Sequence, residues 1–220
     1  MAPNRTTALA RLLGGLLALF LPLTGLPHED HAMQAHPPVP GDPHAAHRQM
    51  LSEAASLPYL RSENSYATPA VTLTDSRGAP VPLAQLLDTD EPVILSFIYT
   101  SCTTICPVLT ATLSQAQDRL ATAPRKPRLV SISIDPDFDT PARLQAYAAT
   151  HHAHADWHFL TGDAAAVSAT QRAFDVYRGR KSNHIPVTLL RASAHSSWVR
   201  LEGFTSAVDL VREYERLLAN

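Results

Sequence analysis

The run Val93-Ile94-Leu95-Ser96-Phe97-Ile98-Tyr99 constrains the fold of this chain more than any other segment. It is nearly all apolar and rich in β-branched and aromatic side chains, so it reads as a central strand buried on both faces. Such a strand needs layers above and below it, and the flanking sequence supplies them. Leu109, Leu113, Ala116 and Leu120 recur at helical spacing after it. Arg128 to Ile134 alternates as a strand into Asp135-Pro136, and Thr140-Pro141 opens a helix through Thr150 with a cap and a first-turn proline. Trp157 to Leu160 is a short strand, Asp163 caps a helix through Phe174, and Val187 to Arg191 pairs with Trp198 to Leu201 as a hairpin. Ser206-Ala207-Val208-Asp209 has capping-box spacing and starts a last helix, whose apolar face carries Val208, Leu210, Val211, Tyr214, Leu217 and Leu218. Upstream, Ala70 to Thr74 reads as a strand and Asp75-Ser76-Arg77-Gly78 as a turn, followed by Val81 to Leu87. Alternating strands and helices predict an α/β fold, a sheet covered on both faces and closed by a hairpin and a helix.

With 220 residues and 45% hydrophobic composition, the chain supports one sizeable core and a tail rather than two full domains. Its 18 basic and 20 acidic side chains give a net charge of -2, and aromatics are only 6%, which sets extended nucleic-acid binding aside. Two cysteines make no disulfide-rich scaffold, but they are enough for one redox pair or half of a metal site. Eleven histidines direct attention to metal.

Arg5 and Arg11 precede an uncharged run from Leu12 to Leu26, too short for a comfortable span of about 20 residues. Residues 1–27 therefore read as an export signal or, with no clear cleavage motif, a retained anchor tethering the chain through residues 12–26. No cysteine lies near the end of the run to carry a lipid. Export places the remainder in the periplasm or on the outer face of the inner membrane, where thiols can oxidise. Residues 28–66, with Pro37, Pro38, Pro40, Gly41 and Pro43 and no apolar periodicity, read as a flexible linker to a domain at 67–220. His28, His31, His36, His44, His47, Met33 and Met50 lie in it, either as a polar tether or as weak copper-collecting groups.

The two cysteines fall in the strand-to-helix turn Thr100-Ser101-Cys102-Thr103-Thr104-Ile105-Cys106-Pro107. Pro107 suits the first helical position, which places Cys106 beside the cap and Cys102 in the loop. Helix N-termini favour thiolate, the form needed for soft-metal binding and for disulfide exchange. Two packed small side chains or a structural disulfide are the plainer alternatives.

The segments Phe97 to Pro107, Ser131 to Pro141 and Trp157-His158-Phe159-Leu160-Thr161-Gly162 together resemble the Sco/SenC family over about residues 67–220. The resemblance implies a thioredoxin-like domain with a central mixed sheet. It also implies an exported metallochaperone, a carrier rather than an enzyme, that delivers copper during cytochrome c oxidase assembly. Its partner would be an oxidase subunit or another copper chaperone. The implied metal ligands are Cys102, Cys106 and His184. Asn183 stands where the family often has Asp, and Ile185-Pro186 resembles the proline opposite the dithiol of ordinary thioredoxins. The alternative is therefore an extracytoplasmic thiol-disulfide oxidoreductase using Cys102 and Cys106. Two thiolates and an imidazole suit Cu(I), and an added oxygen suits Cu(II); zinc is the competing occupant.

Three weaker expectations accompany the trio. Asp135 and Asp139 either orient the cysteine loop or form and cap a turn. His151, His152, His154 and His158 form a second metal patch or a solvated loop. Arg172, Arg178, Arg180 and Lys181 steer an acidic partner or are ordinary wet surface. His195 falls in the hairpin turn with no assigned role.

Overall fold

A computed structural model describes residues 59–219; the expected leader and the linker histidines lie outside the described residues. The elements are β1 (Tyr59–Asn64), β2 (Thr72–Asp75), β3 (Pro80–Pro82), α1 (Leu83–Leu87), β4 (Val93–Ile98), α2 (Ile105–Ala121), β5 (Arg128–Ser133), α3 (Pro141–Thr150), β6 (His158–Thr161), α4 (Ala164–Ala173), β7 (Val187–Arg191), β8 (Trp198–Gly203) and α5 (Ala207–Ala219). The strands form one sheet in the order β1-β8-β7-β4-β5-β6-β2-β3. Strands β4, β5 and β6 run parallel, while β7 is antiparallel to β4 and β8 to β7.

Every residue of β4 is buried, as its composition requires. Ile94 and Ile98 point to the side packed by Leu113 and Leu120 of α2, Leu144 of α3 and Tyr214 of α5. Val93, Leu95 and Phe97 point to the other side, against Leu83 and Leu87 of α1 and Val167 of α4. Ser96 is the one polar residue in this strand, and its hydroxyl needs a partner once water is excluded. It finds Ser131 of β5 at 2.8 Å, and Ser131 in turn accepts the Trp157 indole N–H at 3.1 Å.

The expected caps hold. Thr140 Oγ1 accepts the Arg143 N–H, Asp163 Oδ1 accepts the Ala166 N–H at 2.7 Å, and Ser206 Oγ accepts the Asp209 N–H at 3.1 Å. These side chains satisfy helix N–H groups that have no intrahelical acceptor.

The expected domain boundary is corrected at its start. Residues 59–64, assigned to the linker, are an edge strand in full register with β8, from Tyr59↔Gly203 to Asn64↔Trp198. Leu60 is 67% exposed and Tyr59 alone in the strand is buried, so no alternation reveals it. What holds it, besides the ladder, is Glu213 on α5. This carboxylate is 2% exposed and accepts the Tyr59 hydroxyl at 3.1 Å and the Arg61 Nε–H at 3.0 Å. A contact between residues so distant in sequence leaves no local signal.

Leu95 lies at the middle of the sheet with no exposed surface. Leu95→Ala removes three buried carbons and leaves a cavity, which is expected to cost about 2–5 kcal/mol. A lower urea midpoint at unchanged slope is the outcome that checks this.

Candidate metal centre

The carboxyl end of β4 is where ladder bonds give way to site contacts. The last residue pair with β7 is Ser96↔Thr188, so the next backbone groups on that side need other partners. The Phe97 carbonyl meets His184 Nε2 at 3.0 Å, and the Tyr99 N–H donates to Cys106 Sγ at 3.4 Å. The histidine and a cysteine thus attach to the same strand end, two residues apart.

Between β4 and α2 the chain is anchored by Asp139, which is fully buried. Its carboxylate accepts the Thr100 N–H at 3.1 Å, the Thr100 hydroxyl at 2.5 Å and the Ser133 hydroxyl at 2.5 Å. Of the two readings of Asp139, orientation of the cysteine loop is the one the geometry supports; the cap of α3 is Thr140. Asp135 supplies the turn instead, its carbonyl accepting the Phe138 and Asp139 N–H groups at 3.0 and 2.8 Å.

Helix α2 begins two residues earlier than its proline suggests. Ile105 is the first residue, Cys106 the second and Pro107 the third. The third position still has no intrahelical acceptor for an N–H, so proline is tolerated there as well. Thr104 precedes the helix, but its side chain makes no capping bond. The acceptor is instead the sulfur of Cys102, which takes the Cys106 N–H at 3.4 Å.

Both thiols are free and buried, with Cys102 7% and Cys106 0% exposed. Their acidities nonetheless diverge. Burial opposes ionisation of Cys102, but the N–H groups of Cys106 and Thr104 and the Tyr99 hydroxyl outweigh it and pull the thiol down to about 6. Burial pushes Cys106 well above the ordinary thiol range; the Tyr99 N–H offsets only part of this, and negative charge on Cys102 and Asp139 adds to it. Tyr99 rises to about 12 through burial and its bond to Cys102. One sulfur is therefore a thiolate at neutral pH and the other a protonated thiol beside it.

His184 follows a 3₁₀ turn at Lys181–Asn183 and is 4% exposed. Burial holds its pKa below the usual imidazole value, and the nearby Arg178 charge acts in the same direction. A carbonyl acceptor requires an N–H at Nε2, so the neutral ring carries its lone pair on Nδ1. Nδ1 is buried and has no hydrogen-bond partner among the described residues. No three His, Cys, Asp or Glu side chains among the described residues converge closely enough to hold a metal ion. The structure thus pairs Cys102 with Cys106 and sets His184 on the neighbouring carbonyl, short of a joint cluster.

The weaker expectations resolve into ordinary contacts. His151 stacks on Tyr147 at 4.5 Å, His154 lies 2.9 Å from Asp118, and His158 is half-buried on β6, so these histidines form no patch. Arg172 stacks on Tyr177 and Arg178 pairs with Asp175. Sequence reasoning missed Tyr99 and Thr100. Their position at the strand end was legible; their bonds to sulfur and to Asp139 depend on the tertiary fold.

A sheet of this topology with a dithiol at the mouth of a strand-to-helix turn defines a thioredoxin-like domain. The SCO1/SenC family model matches residues 61–206, and the chain belongs to that family. A SCO1 protein homolog of Bacillus subtilis (strain 168) is 35% identical over 104 residues, 47% of this chain and 53% of the relative. The chain thus spans about half the length of the curated relative it matches. Among solved structures, a SCO1/SenC family lipoprotein from Bacillus anthracis str. Ames superposes with a TM-score of 0.59 at 22% identity, covering 71% of this chain and 98% of that one. BsSco, described as a member of the Sco family of cytochrome c oxidase assembly proteins with a disulfide switch, gives a TM-score of 0.59 at 23% identity, covering 71% and 95%. Arabidopsis thaliana ScoI with copper bound gives 0.56 at 24%, covering 68% and 98%. At these identities the likeness concerns the fold.

The asymmetry of the two thiols has a direct readout. Alkylation of the reduced, metal-free chain by iodoacetamide is expected to rise with pH through a midpoint near 6 at Cys102, because only thiolate reacts and its fraction grows as pH passes the lowered pKa. Cys106 is expected to stay unmodified until well above neutrality. Equal rates at the two sulfurs, read by peptide mass spectrometry, contradict the assignment.

Proposed function

We propose that this domain is an exported copper carrier whose ligands are Cys102, Cys106 and His184, and that it hands its metal to a cytochrome c oxidase subunit or to another copper chaperone. The observation that carries the reading is the buried, unpartnered Nδ1 of His184. A metal-binding imidazole commonly donates its other N–H to a backbone carbonyl, which fixes the tautomer and aims the lone pair. His184 has that arrangement through Phe97. The Cys102 thiolate supplies a soft donor, and Cys106 becomes one when the metal displaces its proton.

Three donors spread over two loops suit transfer. A coordination edge remains for an incoming ligand, as a carrier requires. The copper-bound Arabidopsis ScoI and the assembly role attributed to BsSco support the choice of copper over zinc. Export rests on the basic start and apolar run of residues 1–27, and the same run, through residues 12–26, would serve as the tether if retained. The periplasm or the outer face of the inner membrane is the corresponding location.

A second reading rests on the unequal thiols. A thiolate at Cys102 beside a protonated Cys106 is also the arrangement of a disulfide-exchange pair, in which Cys102 attacks a partner disulfide and Cys106 resolves the mixed disulfide.

An anaerobic Cu(I) titration of the reduced chain separates the two. Under the carrier reading the wild type binds one equivalent tightly, and His184→Ala and Cys102→Ser each weaken binding by about tenfold or more, or about 1.4 kcal/mol or more. Under the exchange reading His184→Ala leaves both copper affinity and reduction of a model disulfide near wild type. Wild-type affinity no greater than that of either variant overturns the carrier reading.

A further inference from the structure

The His184 turn touches the cysteine side of the site through one charged side chain. Lys181 opens the 3₁₀ turn, and its carbonyl accepts the His184 N–H at 3.1 Å. Its ammonium reaches across to Asp135 Oδ2 in the β5–α3 loop. The same ammonium lies 5.6 Å from the centre of the Tyr99 ring and 5.9 Å from that of Phe138. Tyr99 is the residue whose N–H bonds to Cys106 Sγ. One lysine therefore joins three segments: the turn that carries the histidine, the strand end that holds a cysteine, and the loop whose Asp139 fixes Thr100.

Apart from Lys181 and the His184 ring on the Phe97 carbonyl, that turn has few anchors outside itself. Gly179 has a φ of +76°, which few other residues adopt comfortably, and Asn183 bonds only locally, its side chain to the Arg178 carbonyl at 3.4 Å and its N–H to the Arg180 carbonyl at 3.0 Å. A histidine on a loosely held turn pays conformational entropy each time it joins a metal, whereas a tethered one has paid in advance.

We infer that Lys181 is a positioning residue for copper retention, holding the His184 turn against the cysteine side of the site through Asp135 and the faces of Tyr99 and Phe138. The inference rests on His184 being a copper ligand. Lys181 touches no donor atom, and its side chain is 46% exposed against 11% for Asp135, so the tether is modest in strength and open to salt screening. Copper is retained longer with the tether than without it, while capture of the metal by the cysteines is little changed.

The test is the anaerobic release of Cu(I) from the loaded full chain to excess bathocuproine disulfonate. Lys181→Met is expected to speed release about fivefold, the scale of one partly exposed ion pair, and Lys181→Arg to return it to near wild type. Asp135→Asn is expected to match Lys181→Met, and the double variant to be no faster than either single one. Raising KCl from about 50 to about 500 mM should speed wild-type release and leave Lys181→Met unchanged. Should Lys181→Met fold poorly, the wild-type salt dependence and Asp135→Asn carry the test. Release from Lys181→Met at the wild-type rate, additive effects in the double variant, or no rescue by arginine overturns the inference. Copper held by His184→Ala as tightly as by wild type overturns the ligand reading itself; weak binding by His184→Ala with unaltered Lys181→Met overturns only the tether.

Discussion

Strand β4 is the constraint on which the rest depends. Its side chains are buried on both faces, and its backbone is paired with β5 on one edge and β7 on the other. A strand with no free surface cannot shift register without exposing apolar side chains on both sides of the sheet. Its end is accordingly fixed in space, and the unspent polar groups there become precise attachment points. The Phe97 carbonyl takes the histidine and the Tyr99 N–H takes a cysteine. Placement of the site is thus a by-product of core packing.

Asp139 extends that rigidity into the loop. A buried carboxylate is costly unless its oxygens are fully bonded, and here Thr100 and Ser133 satisfy them. The result is a loop tied at Thr100, its second residue, to the carboxylate of the β5–α3 loop. Between that residue and α2, Cys102 is held by the N–H groups donated to its sulfur. Both cysteines belong to one packed cluster, and their difference lies within it: Cys106 is wholly enclosed, while Cys102 sits where backbone donors converge.

Sequence periodicity made most of the architecture legible, because β4, α2, β5 and α5 each carry a local pattern that burial alone accounts for. The caps Thr140, Asp163 and Ser206 were readable for the same reason, since each acts on its own helix. Strand β1 was not. Tyr59 and Arg61 are held by Glu213, and a charge partner across the chain has no local signature. The candidate site was legible at Cys102 and Cys106 through spacing and at His184 through resemblance. Tyr99, Lys181 and the role of Asp139 emerge only when β4, β5 and the turn before β7 are brought together. The start of α2 lies two residues before the position that Pro107 suggests, because proline is tolerated at the third helical position as well as the first and the acceptor there is a sulfur.

That sulfur does two jobs with one set of lone pairs. As the acceptor for the Cys106 N–H it closes the start of α2, and as the most acidic thiol it is also where a metal or an electrophile would attach. An occupant that draws electron density from Cys102 weakens the helix end, and a tightly wound helix end withholds density from the occupant. Occupancy and helix order are therefore reciprocal, each setting a limit on the other. Any occupant of this sulfur therefore competes with the backbone for the same lone pairs, and its hold is limited by the first turn of α2 as well as by its own chemistry.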